Sequence, residues 1–271
     1  MKKTKKLILM ASVLAAVCAA NPALAQQGKD DPLTKYRDML AGDNPAELSE
    51  MKGEALWKTA RGPNKVSLEK CDLGVGAGVV AGAYVKLPRY FEDTKMVQDL
   101  ESRLVTCMVM LQGMTPAEAR KNPFSSPGKP SDMEALASYI TSQSRGLKMA
   151  TPLSHPKEKE AYAIGKQIFY YRAGPYDFSC ATCHGAPDKR IRLQYLPDLT
   201  NPKDAREAYA TWPAYRVSQG EVRTMQHRLN DCFRQQRFPE PLYTSDAITA
   251  LTMFLARNAE GATYNAPALK R

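Results

Sequence analysis

Residues 165–184 read GKQIFYYRAGPYDFSCATCH, and residues 53–72 read GEALWKTARGPNKVSLEKCD. Aligned without gaps, the two stretches share a glycine, an aromatic residue four positions later, a Gly-Pro pair, a serine and a cysteine. Two later segments, RLVTC (103–107) and EALASYITSQSRG (134–146), match RLNDC (228–232) and TALTMFLARNAEG (249–261) in the same order. Three ordered matches predict an internal duplication whose two units differ in loop length.

The two units have the hydrophobic periodicity of helices. Apolar residues at three- and four-residue steps predict helices over 158–171 and 247–259, and no convincing strand pattern is present. A linker is expected within 144–160, where Pro152 and Pro156 interrupt helix formation. The sequence therefore predicts a mainly α fold with tandem domains at 26–150 and 151–271.

The chain begins with a basic segment, an apolar run and the tripeptide ALA, which predict a secretory signal over residues 1–25. A retained anchor is the weaker alternative, because the run is shorter than the roughly 20 residues that a spanning helix needs. Export predicts a soluble periplasmic protein without membrane insertion or nucleic-acid partners. The formal charge is +10, and without the four leader lysines it is +6. This excess indicates either ordinary solubility or a surface that attracts small anions and acidic proteins.

Cys180, Cys183 and His184 form CxxCH, the attachment motif of c-type haem. Two thiols on one turn can add to the two vinyl groups of the porphyrin, and the next residue then presents its imidazole to the iron. A zinc site would need a second pair of ligands and a thioredoxin-like pair a βαβ pattern, and neither is visible. The motif predicts one covalent haem c. Pro197 either orients His184 through its carbonyl group or is a simple turn residue.

The first unit has lost this attachment chemistry, because Leu68 and Asp72 replace the first cysteine and the histidine. Cys71 and Cys107 nevertheless occupy the positions equivalent to Cys183 and Cys232. Without an iron between them the two sulfurs could meet, which predicts a Cys71–Cys107 disulfide worth about 3 to 4 kcal/mol in the chain-entropy model. Two buried free thiols are the alternative, less expected in an oxidising compartment.

This pairing leaves Cys232 as an unpaired cysteine of the mature chain. The repeat places it on the distal side of the haem, so its sulfur is a candidate sixth ligand to the iron. Met225, Met253 and His227 are rival ligands. A distal methionine would raise the haem potential, whereas a thiolate donates more charge and would lower it.

Arginines flank Cys232 in RLNDCFRQQR. If this stretch is helical, Arg228 lies one turn before the cysteine on the same face, where its charge favours the thiolate and attracts an anion. Arg234 and Arg237 either add to this field or are solvated, as arginines on helices usually are.

Together, the leader, the degenerate first unit, the single CATCH and RLNDCFRQQR resemble the SoxA family, the larger subunits of the SoxAX cytochromes of periplasmic thiosulfate oxidation. The likeness covers nearly the whole mature chain, and the cysteine motif after the haem site is its most specific part. Because LEKCD departs from the attachment pattern, the sequence resembles the single-haem members.

This resemblance implies an L-cysteine S-thiosulfotransferase that couples thiosulfate oxidatively to a cysteine of a SoxYZ-like carrier, with electrons leaving through haem. It implies a small SoxX-like cytochrome subunit as partner. It assigns Cys232 as both haem ligand and catalytic residue, as a thiolate or persulfide. Arg228 would bind the substrate anion, and Arg257 in the closing helix would be the second substrate arginine.

The competing hypothesis is a plain periplasmic electron-transfer cytochrome with Met225 or Met253 on the iron and a structural Cys232. A lone thiol without function in an oxidising compartment counts against it. A haem-based sensor, the third class, would need an open iron or a signalling domain, and no such domain is present in the sequence.

Overall fold

The computed structural model describes Met39 and residues 44–191 and 194–270. The predicted signal at residues 1–25 lies outside the described residues. From Asn44 onward the chain forms one compact unit. No helix in the described ranges is both long and apolar enough to cross a membrane.

The N-terminal half, residues 44–150, is mainly helical. Three of its helices begin at side-chain caps: Asp99 accepts a hydrogen bond from Ser102 N, Thr115 accepts one from Glu118 N, and Ser131 accepts bonds from Met133 N and Glu134 N. Its elements are α1 (Ala46–Lys58), 3₁₀ turns at Leu68–Lys70 and Tyr84–Lys86, β1 (Arg89–Phe91), β2 (Met96–Gln98), α2 (Leu100–Met110), α3 (Pro116–Ala119) and α4 (Asp132–Ser142).

The C-terminal half, residues 151–270, repeats this order with more short strands. Its elements are α5 (Pro156–Tyr170), α6 (Cys180–His184), β3 (Arg190–Ile191), β4 (Gln194–Tyr195), α7 (Pro202–Tyr209), β5 (Ala214–Arg216), β6 (Glu221–Arg223), α8 (Met225–Gln235), α9 (Asp246–Asn258) and β7 (Ala268–Lys270). The two predicted helices agree with α5 and α9 to within two residues. Pro156 does not interrupt a helix but begins α5, because a first-turn residue has no intrahelical N–H bond to lose.

The strands are the elements that periodicity did not predict. β1 and β2 pair antiparallel, as do β3 and β4. β5 lies between β6, which is antiparallel to it, and the C-terminal β7, which is parallel to it. Each strand has only two or three residues, too few to produce a recognisable alternation of apolar and polar side chains.

The same close helix crossing occurs in both halves. A Cβ atom placed on Gly53 of α1 would lie 2.0 Å from the carbonyl oxygen of Ala135 in α4. A Cβ atom on Gly165 of α5 would lie 1.9 Å from the carbonyl oxygen of Ala250 in α9. Only glycine permits either approach, because 3.0 Å is already closer than real Cβ contacts. The mainly α tandem architecture predicted from the repeat is therefore confirmed.

The predicted Cys71–Cys107 disulfide is confirmed. The two sulfurs are bonded, and both cysteines are buried in the N-terminal half. The bridge joins the turn after α1 to the C-terminal part of α2, the segments equivalent to those that carry Cys183 and Cys232 in the other half. The alternative of two free thiols was wrong.

The Arg103 side chain makes several polar contacts within the N-terminal half. Its Nε donates to the carbonyl oxygen of Asp72 at 2.6 Å, it forms an ion pair with Asp93 at 2.8 Å, and it stacks over Phe91. Asp72 stands where the repeat has His184. The arginine thus makes hydrogen bonds and an ion pair next to the residue that is the repeat equivalent of His184.

The linker is tied to both halves rather than free. Ala150 N donates to Val85 O at 2.8 Å, and Met149 N donates to Ala262 O at 2.9 Å. These bonds join the halves into one compact unit, and a boundary between domains at residues 150 and 151 stays a prediction.

We expect Gly165→Ala to destabilise the protein, although alanine is the better helix former. Helix propensity alone would favour alanine by about 1 kcal/mol. Overpacking against Ala250 O works in the opposite direction and costs about 1 to 3 kcal/mol or more. Equilibrium unfolding in urea should show a net loss of stability.

Lys166→Ala is the matched control, since Lys166 is the exposed neighbour of Gly165 in α5. Its effect should lie within about 0.5 kcal/mol. A Gly165→Ala protein as stable as this control would show that the helices can separate at no cost.

Candidate active site

The CATCH segment forms α6, one short helix that begins at a side-chain cap. Ser179 and Thr182 form a reciprocal capping box, in which Thr182 N donates to Ser179 Oγ at 3.2 Å and Ser179 N donates to Thr182 Oγ1 at 2.9 Å. This cap places Cys180 and Cys183 on one turn. Both thiols are free and partly buried.

His184 ends α6 with a fixed ring orientation. Its Nδ1 is 2.9 Å from the carbonyl oxygen of Pro197, and Leu199 N donates to the His184 carbonyl oxygen at 2.9 Å. A carbonyl can only accept, so Nδ1 carries the proton and Nε2 keeps its lone pair for a metal. Burial lowers the pKa of His184, and the charge of Arg228 lowers it further. Pro197 is therefore the orienting residue rather than only a turn residue.

Cys232 lies in α8, whose first turn is capped by Thr224. Its thiol is free, and burial raises its pKa, while the charge of Arg228 acts in the opposite direction. Burial also raises the pKa of Cys180 to about 12, with a further contribution from Cys232. The sulfur of α8 and the sulfurs of α6 thus share one environment, as the repeat predicted.

This donor set fits a c-type haem. Cys180 and Cys183 offer two thiols on one turn, His184 offers Nε2, and Cys232 offers a sulfur from a second helix. Soft thiolate and imidazole are ligands typical of haem iron. The residues that would hold the group are therefore all available for it.

His227, a rival ligand, is engaged elsewhere. Its Nδ1 lies 2.7 Å from Glu134 Oε1, and its ring stacks on Phe124 at 4.6 Å. Both contacts are with the N-terminal half. Met225 begins α8 and Met253 is fully buried in α9.

Arg216 and Lys270 are site residues that the sequence did not reveal. They are register partners on the parallel strands β5 and β7. Burial lowers the pKa of Lys270 to about 8, and the charges of Arg216 and Arg228 act in the same direction. The pKa of Arg216 is also lowered, first by burial and then by Arg228, and Arg216 acts on the pKa of Cys232.

No carboxylate forms an ion pair with these cations in the part of the chain that the structure describes, although Asp231 and Glu207 act electrostatically on Arg216 and Lys270. Within the described ranges, the guanidinium of Arg228 has no hydrogen bond or ion pair, in contrast to its repeat equivalent Arg103. Lys270 Nζ lies 5.8 Å from the centroid of the Trp212 ring. Among the described residues, the Arg216 side chain makes one long hydrogen bond, from Nε to Gln219 Oε1 at 3.4 Å. Arg228 and Arg216 act electrostatically on Cys232, and both also act on Lys270. These three partly buried cations form a site suited to a small anion.

The other predicted arginines have different surroundings. Arg234 is exposed and pairs with Asp231 at 2.8 Å, and Arg237 is exposed just beyond α8. Arg257 donates to Thr151 O at 2.7 Å and pairs with Glu260 at 3.0 Å, so its bonds tie α9 to the linker. Substrate contact by Arg257 stays a prediction.

Comparison with known proteins identifies the fold. The family described as SoxA/TsdA, cytochrome c domain, matches residues 52–149 and 164–263, one segment in each half. The crystal structure of SoxXA from P. pantotrophus superposes with a TM-score of 0.70 at 25% identity, covering 88% of this chain and 84% of that chain.

Sequence relatives agree with this match. The L-cysteine S-thiosulfotransferase subunit SoxA of Hydrogenophilus thermoluteolus is 48% identical over 100% of both chains. A subunit of the same description from Hydrogenobacter thermophilus is 33% identical over 96% of this chain and 93% of its own length. The cytochrome c domain implies haem c as the cofactor. The chain therefore belongs to the SoxA family of cytochrome c proteins.

Proposed function

We propose that the chain is the SoxA-type subunit of an L-cysteine S-thiosulfotransferase. The relatives that it matches along their whole length have this description. The observation that carries the proposal is the free sulfur of Cys232 in the field of Arg228 and Arg216, with Lys270 the register partner of Arg216. A sulfur near cations that form no ion pair within the described ranges suits chemistry on a sulfur anion.

The proposed haem is single and covalent: Cys180 and Cys183 would hold it, and His184 and Cys232 would bind its iron. The N-terminal half cannot attach a second one, because Leu68 replaces one cysteine and Cys71 is in a disulfide. When bound, haem c supplies one-electron redox chemistry at a potential that a thiolate ligand lowers.

The proposed reaction forms a sulfur–sulfur bond between the sulfane sulfur of thiosulfate and a cysteine of a SoxYZ-like carrier. Thiosulfate is a dianion, the carrier thiolate is a monoanion and the S-thiosulfonate product is a monoanion. Two electrons therefore leave the reactants; haem c, when bound, would supply the redox chemistry that accepts them, with a SoxX-like subunit as the proposed partner.

In this reaction the chain's own residues bind and orient sulfur. Cys232, as thiolate or persulfide, contacts the sulfane sulfur. Arg228 stabilises the thiolate form, because its charge counteracts the effect of burial on the Cys232 pKa. Arg216 and Lys270 bind the sulfonate oxygens. Arg257, placed by its bonds at the linker, is proposed only as a more distant contribution to the positive field.

The proposed location is the periplasm, on the basis of the leader predicted for residues 1–25. This location supplies the oxidising conditions that the Cys71–Cys107 disulfide requires. It also excludes nucleic acid as a partner, so the net positive charge is assigned to attraction of thiosulfate and of an acidic carrier.

We expect the intact mass of the secreted protein to equal the chain from residue 26 plus one haem, minus two hydrogens for the disulfide. A persulfide on Cys232 would add one sulfur. Peptide mapping should find the haem on the peptide that contains Cys180 and Cys183. Two haems per chain, or haem bound near Cys71, would contradict the proposal.

Cys232→Met should leave the haem attached and low-spin if methionine reaches the iron. Its reduction potential should rise, because a thioether donates less charge than a thiolate. Thiosulfate transfer to the carrier should collapse. Redox titration and turnover measurements check this, and a variant with wild-type spectrum, potential and turnover would support the plain electron-transfer cytochrome instead.

Arg228→Ala should lower thiosulfate transfer about ten- to a hundredfold, the value of one charge-assisted contact of about 1.5 to 3 kcal/mol.

Lys270→Met should weaken thiosulfate binding only below about pH 8, where Lys270 is protonated in the wild type. As pH rises through this value, the wild type loses the charge, so the two proteins should converge. Kinetics across this pH range measure both effects.

Arg234→Ala is the matched control for these variants, since Arg234 is an exposed arginine of the same helix already paired with Asp231. Its turnover should stay near the wild-type value. Equal losses in Arg228→Ala and Arg234→Ala would show that general positive charge, rather than a defined anion site, is responsible.

A further inference from the structure

Three buried carboxylates of the N-terminal half meet the helix that bears Cys232. Asp99 and Glu101 lie at the start of α2, Glu134 lies in the first turn of α4, and each is at most 5% exposed. We call these three residues the carboxylate cluster. Buried carboxylates are costly, so their hydrogen-bond partners indicate what they are for.

Two members of the cluster bind the cap of α8. Thr224 N donates to Glu134 Oε1 at 3.2 Å, and Thr224 Oγ1 donates to Glu101 Oε1 at 3.0 Å. The same threonine oxygen accepts from His227 N at 3.2 Å as the helix cap. His227 Nδ1 lies within hydrogen-bond distance of Glu134 Oε1, at 2.7 Å. Glu134 and Glu101 thus bind both the capping residue and the first turn.

The third member extends these contacts around the same turn. Gln226 Nε2 donates to Asp99 Oδ2 at 2.6 Å, and Gln226 Oε1 accepts from Thr244 N at 3.0 Å. Tyr243 also donates to Glu101 Oε1 at 3.1 Å. All three carboxylates therefore converge on the beginning of α8, while Arg228 and Cys232 lie further along it.

The electrostatics are consistent with this arrangement. A helix N-terminus has partial positive charge and favours neighbouring carboxylates. Burial raises the pKa of Glu101 well above its usual range, and the charges of Asp99 and Glu134 raise it further.

The geometry makes Cys232 sensitive to this first turn. Cys232 is eight residues beyond Thr224, about 12 Å along a rigid helix. A tilt of about 10° at the cap would move the sulfur by about 2 Å, using the same rise per residue. A ligand bond or a substrate contact does not tolerate such a displacement.

We propose that Asp99, Glu101 and Glu134 are positioning residues that fix the first turn of α8 and thereby set the places of Arg228 and Cys232 opposite the CATCH helix. The N-terminal half, closed by its disulfide, thus has a function in the site of the other half. The inference rests on the proposed ligation by Cys232.

The test uses the haem-loaded protein and two disruptive variants, Thr224→Val and Glu134→Ala. Thr224→Ser and Glu134→Gln are conservative partners that keep a hydroxyl or an acceptor oxygen in place. Glu158→Ala is the matched control, because Glu158 is also buried and accepts bonds from Tyr90 N and His155 N at 3.0 Å, but contacts α5 and β1 rather than α8.

We expect Thr224→Val to speed amide hydrogen exchange in α8 about fivefold, the factor expected for loss of a helix cap. Both disruptive variants should change the low-spin spectrum and the haem potential, and the conservative partners should restore them. Glu158→Ala should lower stability to unfolding without a spectral change, which separates positioning from general stability.

Wild-type spectra and potentials in Thr224→Val and Glu134→Ala, with Cys232→Met altered, would overturn this inference and leave the proposed function intact. An unaltered Cys232→Met protein would instead refute the ligation itself, and this inference with it. If Glu134→Ala fails to fold, Thr224→Val with its serine partner decides alone, because it replaces a side chain of nearly equal volume.

Discussion

Each half of the molecule depends on one close contact, in which a glycine of the opening helix lies against a carbonyl oxygen of the closing helix. Gly53 meets Ala135 and Gly165 meets Ala250, with no room for a Cβ atom at either place. Because the backbones touch, the crossing fixes where the opening helix ends. The turn that follows, with LEKCD in one half and CATCH in the other, is thereby fixed against the same core.

The two halves show what this scaffold does with and without its cofactor chemistry. In the N-terminal half, a disulfide and the fully bonded Arg103 occupy the region between the turn and α2. In the C-terminal half, the side chains of the equivalent Arg228 and Cys232 form no hydrogen bond or ion pair with any residue that the structure describes. The first half gains stability from closure, and the second retains groups that can bind haem and an anion.

The proposed site draws cations from three different elements. Arg228 comes from α8, Arg216 from β5 and Lys270 from β7 at the end of the chain. Burial, and then repulsion from Arg216 and Arg228, lower the pKa of Lys270. This repulsion reduces the stability of the folded protein, and a bound dianion would offset it. The proposed positioning by the buried carboxylates acts at the first turn of α8, so contacts at the start of this helix place Cys232 further along it.

The sequence by itself determined the duplication, the haem motif, the disulfide partners and the isolated Cys232, since these depend on residue identity and order along the chain. Only the tertiary structure placed Arg216 beside Lys270, because their strands are three residues long and join segments more than 50 positions apart. It also decided that His227 binds Glu134 instead of iron. Hydrophobic periodicity records which side of an element is buried, whereas the partner that a buried polar group finds depends on how distant segments pack.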